Sequence, residues 1–596
     1  MPVRLNVVKN GKYQYIRIFE SYVNKDGKPR SRVVHSFGRL DQALAQDPDV
    51  LQKAEQFVRD WNEKEQAKRQ SEREKHAKAV LDGIRQSPTI SYNNAPLLNV
   101  GVAVINRLWE SLNLTAVFDY LKTKTRIQYD YPEYVRLLTF LRLLTPESKL
   151  ATWEDRNSTI RDFSSADSLQ SVYRCLEKLS SQKENIVRSL NLQISKLYDR
   201  DLSAAFYDVT TYAFESQNVD VLRNFGMSKD KKFNEVQVVV GLLMDQNGVP
   251  IDYEVHPGNT SEYGTLVPMI KKFKKTYAIK KVTVVADRGL NSNENLLALQ
   301  ELDCDFVIAQ KIKKVSTDLE SKIKDESNWT SLTVDEDGVV TQKAKMLDVC
   351  KPVYETKITP RGRRYQSSRQ IGQLDVRWLI TYSQKRAHKD QADLDRMVEK
   401  ATRAIETGTA KPNKKGWKSY VLYDQEAQGT PKLDLQKISQ QQSWNGLYGI
   451  CTNSKDLSAE QIDELYHRLW QIEDCFRVSK SVLDTRPCYV WNPERIRGHF
   501  LCCYLALVLE KIMAFQVRCA AQQGKIPYMT PQAMLSSLQQ ASVVLLGAPS
   551  DPCYVKVNAD NNFDALCRVF GIEPLCRTED RISLSSKLHM KKIRTV

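Results

Sequence analysis

The chain has 596 residues, with 88 Lys and Arg against 72 Asp and Glu, a formal net charge of +16. Hydrophobic residues at 41% and charged residues at 27% exclude a wholly disordered chain, and 23 Gly with 21 Pro exclude a collagen-like or low-complexity one. At roughly 150 residues per domain the length suggests about three or four domains, and the positive balance favours a polyanionic partner, nucleic acid before a membrane surface.

The first 45 residues (1–45) alternate apolar and polar positions from Leu5 to Leu40, with hairpin turns at Asn10-Gly11 and Asp26-Gly27, so they predict a small antiparallel β module. Residues 46–95 read as a charged helix and linker, dense in Lys, Arg and Glu from Glu63 to Lys78. Residues 96–200 are helical, with apolar residues at helical spacing over Asn99–Tyr120 and Pro132–Leu144, and form a candidate DNA-binding domain. The pattern changes at Leu202. Strands are predicted over Leu202–Phe214, then over two segments joined at Asn247-Gly248, then over Lys280–Asp287 and Cys304–Lys311, with helices at Ser261–Tyr277 and Ser292–Leu302. This β-β-β-α-β-α-β order over 201–310 is that of an RNase H-like core.

Residues 311–442 read as a β-rich insertion interrupted by a charged helix, Lys385–Glu406. Basic clusters recur there, at Lys311, Lys313 and Lys314, at Lys357, Arg361, Arg363 and Arg364, and at Lys411, Lys414, Lys415 and Lys418. Residues 443–520 return to the core with a strand, Gly446–Thr452, a helix from Ser458 to about Leu483, and an apolar helix from Asn492 to about Gln516. Residues 521–596 are a mixed tail, a possible dimerisation region. The strongly apolar run Phe500–Leu509, stopped by His499 and Glu510, falls short of the ~20 residues a membrane span needs. Met1–Glu20 lacks the apolar stretch of a secretory signal. Twelve cysteines without a C-x-x-C suit reduced thiols in the cytoplasm rather than a zinc site.

Three acids stand out. Asp208 sits inside an apolar strand, where a carboxylate is costly unless paired or metal-bound. Asp287 ends the apolar strand Val282–Asp287, and Glu473 lies in the helix after the insertion. Taken singly, Asp287 reads as a turn or cap and Glu473 as half of a surface pair with Arg477. In an RNase H-like sheet the first and fourth strands are neighbours, so their acids converge and a helix on the sheet supplies the third. Three carboxylates without His or Cys suit Mg²⁺ or Mn²⁺, and two such ions serve in-line attack on phosphate. Tyr466, Glu473 and Lys480 are spaced by seven and share a helix face with Arg477, a stripe suited to phosphate. Trp470 and Ile472 are expected in the core.

These residues, with Asp208 and Asp287, resemble the DDE transposases of the insertion-sequence-four superfamily and their Tyr-x2-Arg-x3-Glu-x6-Lys signature. The resemblance covers about Leu202–Gln516, and the N-terminal β module is similar to one branch of the same superfamily. The signature arginine falls at Leu469, with Arg468 one residue earlier, so Arg468 or Arg477 takes that phosphate contact or it is absent. The resemblance implies that Asp208, Asp287 and Glu473 are catalytic and hold two divalent ions. It further implies that Tyr466, Arg468, Arg477, Lys480 and Arg288 face DNA. Relatives carry a β-rich insertion that contacts the transposon end and holds a flipped base; Trp417 and Trp444 are candidates for that stack, with core packing as the alternative.

The expected function is therefore cut-and-paste DNA transposition on double-stranded DNA by a cytoplasmic homodimer, through a hairpin intermediate by resemblance. The N-terminal 200 residues would recognise the ends. A metal-dependent nuclease without strand transfer and a domesticated, non-catalytic DNA-binding protein are the rival readings.

Overall fold

The computed structural model describes residues 3–23, 29–86, 96–226, 235–336, 338–359, 364–410, 415–422, 431–486, 488–548 and 551–595. The protein is a mixed α/β, multidomain chain with two compact units. One is Met1–Arg107 with Asn157–Asp162 and Met529–Val596; the other is Leu108–Arg156 with Phe163–Tyr528.

Strands β1 (Val3–Asn10), β2 (Tyr13–Val23) and β3 (Pro29–Arg39) form an antiparallel meander. Gly11, at φ 63°, makes the turn from β1 to β2, a conformation glycine adopts without penalty. The turn expected at Asp26-Gly27 lies outside the described residues. The meander buries Ile16 against Ala43 of α1 (Leu40–Gln46) and Val50 and Ala54 of α2 (Val50–Gln86). Leu97–Asn99, expected at the edge of a helical stretch, is instead a short strand, β4, before α3 (Val102–Ser111). Asn99 ends it by accepting from the Val102 amide and donating to the Leu538 carbonyl, 3.0 and 2.8 Å.

Four helices follow, α4 (Leu114–Thr123), α5 (Tyr131–Leu144), α6 (Lys149–Glu154) and α7 (Leu169–Leu197). α5 is buried along its whole length, which explains its nearly continuous apolar sequence. Ser168 caps α7, while Asp167 accepts from the Tyr134 hydroxyl at 3.1 Å.

The large sheet begins at β5 (Ala204–Ala213) and continues through β6 (Asn224–Phe225), β7 (Val236–Asp245) and β8 (Pro250–Pro257). Then come α8 (Leu266–Tyr277), β9 (Val282–Ala286), α9 (Asn293–Glu301) and β10 (Cys304–Gln310). β7 runs antiparallel to β5 and β8, whereas β9 is parallel to both β5 and β10. Ala205, Tyr207 and Val209 of β5 belong to one core with Leu266, Ile270 and Phe273 of α8.

After α10 (Thr317–Lys324) come β11 (Thr330–Val334) and the long hairpin β12 (Val340–Ile358) and β13 (Arg364–Ser383). This stretch is β-rich, but its strands do not make a sheet of their own. β13 pairs with β16 (Leu447–Thr452), which pairs with β10, so the order runs β11-β12-β13-β16-β10-β9-β5-β7-β6, with β8 on β7. Leu374, Val376 and Trp378 join the same core as Tyr207, which gives the long hairpin its apolar positions. Between β13 and β16 lie α11 (Gln384–Glu406), the two-residue strands β14 (Val421–Leu422) and β15 (Lys432–Leu433), and α12 (Leu435–Gln442).

The helix expected over Ser458–Leu483 is three pieces. Ser458 and Gln461 form a capping box for α13 (Ala459–His467), Arg468-Leu469 interrupt, and α14 (Trp470–Arg477) runs into a π-helical turn, Val478–Val482. Helix α15 (Pro493–Gln522) is 30 residues, long and apolar enough to cross a membrane by length and composition. The length argument against a span is thereby corrected: the helix continues through buried Glu510 and Lys511, the latter paired with Asp474 at 2.7 Å. Its most apolar window is 78% buried inside the protein.

The tail folds as α16 (Pro531–Gln540), β17 (Ser542–Ala548), β18 (Asp551–Asn558), α17 (Asn561–Val569), β19 (Thr578–Asp580) and α18 (Arg581–Lys587). β17 pairs with β4, giving the order β19-β18-β17-β4. The tail thus packs on the N-terminal part of its own chain.

Candidate functional site

Strand register brings two of the three acids together. Tyr207 of β5 lies opposite Ala286 of β9 in parallel pairing, and Asp208 and Asp287 are each the next residue. Asp208 is half-buried and Asp287 exposed. Asp287 occupies the N-cap position of a short 3-10 turn, yet its carboxylate makes no capping hydrogen bond. The simple reading of Asp287 as a cap therefore fails.

Side-chain alternation puts Asp208 on the face opposite Tyr207 and Val209. Tyr212, on the Asp208 face, donates to Ser479 Oγ at 2.8 Å and meets Phe500 edge-on at 5.2 Å. At the other end of the strand, Cys475 Sγ lies 3.7 Å from the Gly248 carbonyl, in the turn between β7 and β8. α14 therefore runs alongside β5 in the same sense. Asp208 is four residues before Tyr212, ~13 Å at ~3.3 Å per residue. Glu473 is six residues before Ser479, ~9 Å at 1.5 Å per residue. The helix carries the third acid along the strand that carries the first.

Glu473 is exposed and makes no ion pair among the described residues. The surface pair expected with Arg477 is absent, because Arg477 bonds Asp474 instead, 2.6 Å from Nη2 and 3.1 Å from Nε. Asp474 also takes Lys511, and these cations hold its carboxyl below the usual range against the opposing effect of burial. Asp474 is thus the structural acid of this helix.

Tyr466 shares a 2.6 Å hydrogen bond with the hydroxyl of Tyr448 on β16. Burial, the Tyr448 neighbour and the carboxylates of Asp287 and Glu473 all hold its proton on. Lys480, on the π turn, stands 5.6 Å from the Tyr212 ring centre. Arg468 bonds Glu464 at 2.5 Å and reaches Gln246 at 3.5 Å. Trp470 is 59% exposed, not in the core; Ile472 is fully buried as expected. The break at Arg468-Leu469 rotates α14 relative to α13, so a single helical repeat does not describe both.

Beside Asp287, Arg288 lines a cavity of about 460 Å³ with Lys311, Lys313, Lys314, Arg386 and Tyr448. The Arg386 guanidinium sits 4.4 Å from the Tyr448 ring centre. Tyr448 and Arg386 were not singled out from the sequence; neither position has a pattern of its own, and only sheet pairing and the start of α11 bring them here. Trp444 also borders this cavity but is 5% exposed and belongs to the core, with Lys324 Nζ at 4.6 Å from its ring. Trp417 packs on Leu394, Ala401 and Tyr420 in a separate small cluster. Arg361, Arg363, Lys411 and Lys414 lie outside the described residues.

Among the described residues no three His, Cys, Asp or Glu side chains stand close enough to form a ready-made metal site. Asp208 and Asp287 stand on neighbouring interior strands of the sheet and Glu473 on the helix beside β5, and the three do not close on one point.

Residues 208–509 match the transposase DDE domain family, and residues 5–76 match the N-terminal domain of IS1634 family transposases. The first match begins at Asp208 itself and spans more than half of the chain, so the chain belongs to the DDE transposase family. It is a DNA transposase of an insertion-sequence family, an enzyme that cleaves DNA and transfers strands, and such domains generally use divalent metal ions. Among solved structures the chain is similar to a piggyBac transposase in a synaptic complex with hairpin DNA, at 9% identity over 73% of this chain and 77% of that one, with a TM-score of 0.32. No curated protein matches the sequence.

Proposed function

We propose that Asp208, Asp287 and Glu473 are the catalytic carboxylates of this transposase, on an RNase H-like core. The observation that carries this reading is the parallel register of β5 and β9, which sets Asp208 and Asp287 side by side, with α14 laid along β5. The order β5-β7-β8 antiparallel, then β9 and β10 parallel to β5, supports the core assignment.

The donor chemistry fits hard divalent cations: the three groups are carboxylates, and Asp287 and Glu473 are engaged in neither a cap nor an ion pair among the described residues. Asp208, Asp287 and Glu473 would hold two ions, Mg²⁺ or Mn²⁺, which when bound supply positive charge at the attacking and leaving oxygens of a phosphodiester. Tyr466, kept protonated, offers a hydroxyl beside Asp287 and Glu473. Lys480, Arg468, Arg477, Arg288 and the basic rim at Lys311, Lys313, Lys314 and Arg386 give positive charge for holding the DNA backbone in register.

In this reading a homodimer in the cytoplasm acts on paired transposon ends, and residues 1–200 recognise the end sequence. Phosphate and metal contacts carry no sequence information, so specificity must come from outside the three carboxylates. Cut 3′ ends would join target DNA after a hairpin step.

The test is cleavage of end-containing DNA in Mg²⁺ by Asp208→Ala, Asp287→Ala and Glu473→Ala. Each should cut at least about 10³-fold more slowly while binding the same DNA within a few-fold, because groups that act as a unit fail together. Near-normal cutting by any one removes it from the set.

A further inference from the structure

Between α5, α6, α7, α15 and the segment after the π turn lies a cavity of about 380 Å³. Its walls include Arg142, Lys149, Tyr173, Asp484, Tyr489 and His499. Arg142 is 3% exposed and Lys149 5%. Both belong to the second unit, and both fall outside residues 5–76 and 208–509.

Neither cation has an ion pair among the described residues. Arg142 spends its terminal nitrogens on main-chain carbonyls, Nη2 on Glu147 at 2.7 Å and Nη1 on Leu483 and Asp484, each at 3.4 Å. Its Nε is buried without a partner. Glu147 and Asp484 also line the cavity; Arg142 meets Glu147 and Asp484 through their main-chain carbonyls, and neither carboxylate forms an ion pair with Arg142 or Lys149 among the described residues. His499 adds no charge of its own: its Nε2 lies 3.1 Å from the Thr485 carbonyl, and burial keeps the ring neutral. Two buried cations beside one cavity, with one unsatisfied N–H, are costly unless an anion enters.

We propose that this cavity is a phosphate-binding site, in which Lys149 and Arg142 take one phosphate oxyanion of a DNA strand and Tyr489 meets the adjoining nucleotide. Tyr489 is 58% exposed at the cavity mouth, and Trp491, two residues on, is 60% exposed. Exposed rings next to a cation suit a strand whose base stacks while its phosphate is held. The cavity is large enough for a hydrated phosphate group. It is separate from the three carboxylates, so it would hold DNA away from the point of cutting.

The probes are inorganic phosphate and a DNA duplex, applied to the full chain. Phosphate, compared with chloride at equal ionic strength, should raise the Tm of the unaltered protein saturably by ~2–4 °C and leave Lys149→Met unmoved. Lys149→Met keeps the buried volume and removes the charge. Tyr489→Glu changes only an exposed mouth residue and should blunt the same shift, so misfolding of one variant does not hide the answer. In DNA binding, the slope of log K against log salt should shallow by about one for Lys149→Met. Loss of the phosphate shift with an unchanged slope would keep the site and assign it to free phosphate instead of DNA. An equal phosphate shift in all three proteins, with equal slopes, would overturn the proposal.

Discussion

The second unit gathers charge of opposite sign in two places, and the two places are built differently. Along β5, after β9 and on α14 the acids are half-buried or exposed, where water supplies most of the solvation and the sheet only needs to align them. Beneath α5 and α6 the cations are buried, where an anion or a main-chain carbonyl must replace water. The difference teaches what each can be used for. A set of half-buried or exposed carboxylates can gain and lose ions during a reaction, whereas a buried basic cavity favours holding one group in place.

Lys149 gives the largest effect on stability. Burial first, and Arg142 next, push its pKa down to about 8 from the ordinary lysine range. A depressed folded-state pKa means that stability is fully present above the unfolded value near 10.5 and is lost as pH falls through about 8. Lys149→Met should therefore be more stable than the unaltered protein at pH 7, by on the order of 3 kcal/mol, and should converge with it above about pH 10.5. Denaturant unfolding at both pH values checks this. A variant less stable at pH 7 would mean that the lysine already has an anionic partner.

Gly498 tests the packing that holds one wall of the cavity. A Cβ there would sit 2.0 Å from the Leu176 carbonyl oxygen, so α7 and α15 meet backbone to backbone. Gly498→Ala should cost about 2–3 kcal/mol, as overpacking does, and shift the adjacent His499. A Tm within 1–2 °C of the parent would show that the helices separate freely.

Lys480→Ala tests the acidic site. It should weaken end binding or strand transfer about tenfold and flatten the salt dependence. Unchanged joining and slope would return Lys480 to its ring contact with Tyr212.

The smallest expected effect is at α13. The Asp463 side chain, chiefly through a hydrogen bond, raises His467 to about 9. A raised folded-state pKa means stability present below about pH 6.5 and lost as pH rises through about 9. The histidine side chain is 67% exposed, so solvent screening holds the contribution to ~0.5 kcal/mol or less. Asp463→Asn should remove this slope from a pH series of Tm values.

The sequence by itself determined the local elements and the acids that interrupt them. Asp208 was legible because it is an acid set inside the otherwise mostly buried, largely apolar run of β5. The strands and helices from Ala204 to Gln310 follow periods of two and 3.6, which depend only on neighbours in the chain. The β meander was legible for the same reason, through its turn glycine at Gly11.

Tertiary structure alone decided what lies far apart in sequence. The pairing of β13 with β16 and of β17 with β4 joins strands 60 or more residues apart, and no local period encodes such partners. Trp470, at the start of α14, is exposed, which the helical pattern did not indicate. Arg477 chose Asp474 over Glu473 because Lys511, from α15, fixes that aspartate. Nothing in the sequence around Lys149 marks it as buried, since burial is set by what packs on a residue. Charge that a sequence shows as a count becomes a site only when folding decides which charges keep their water.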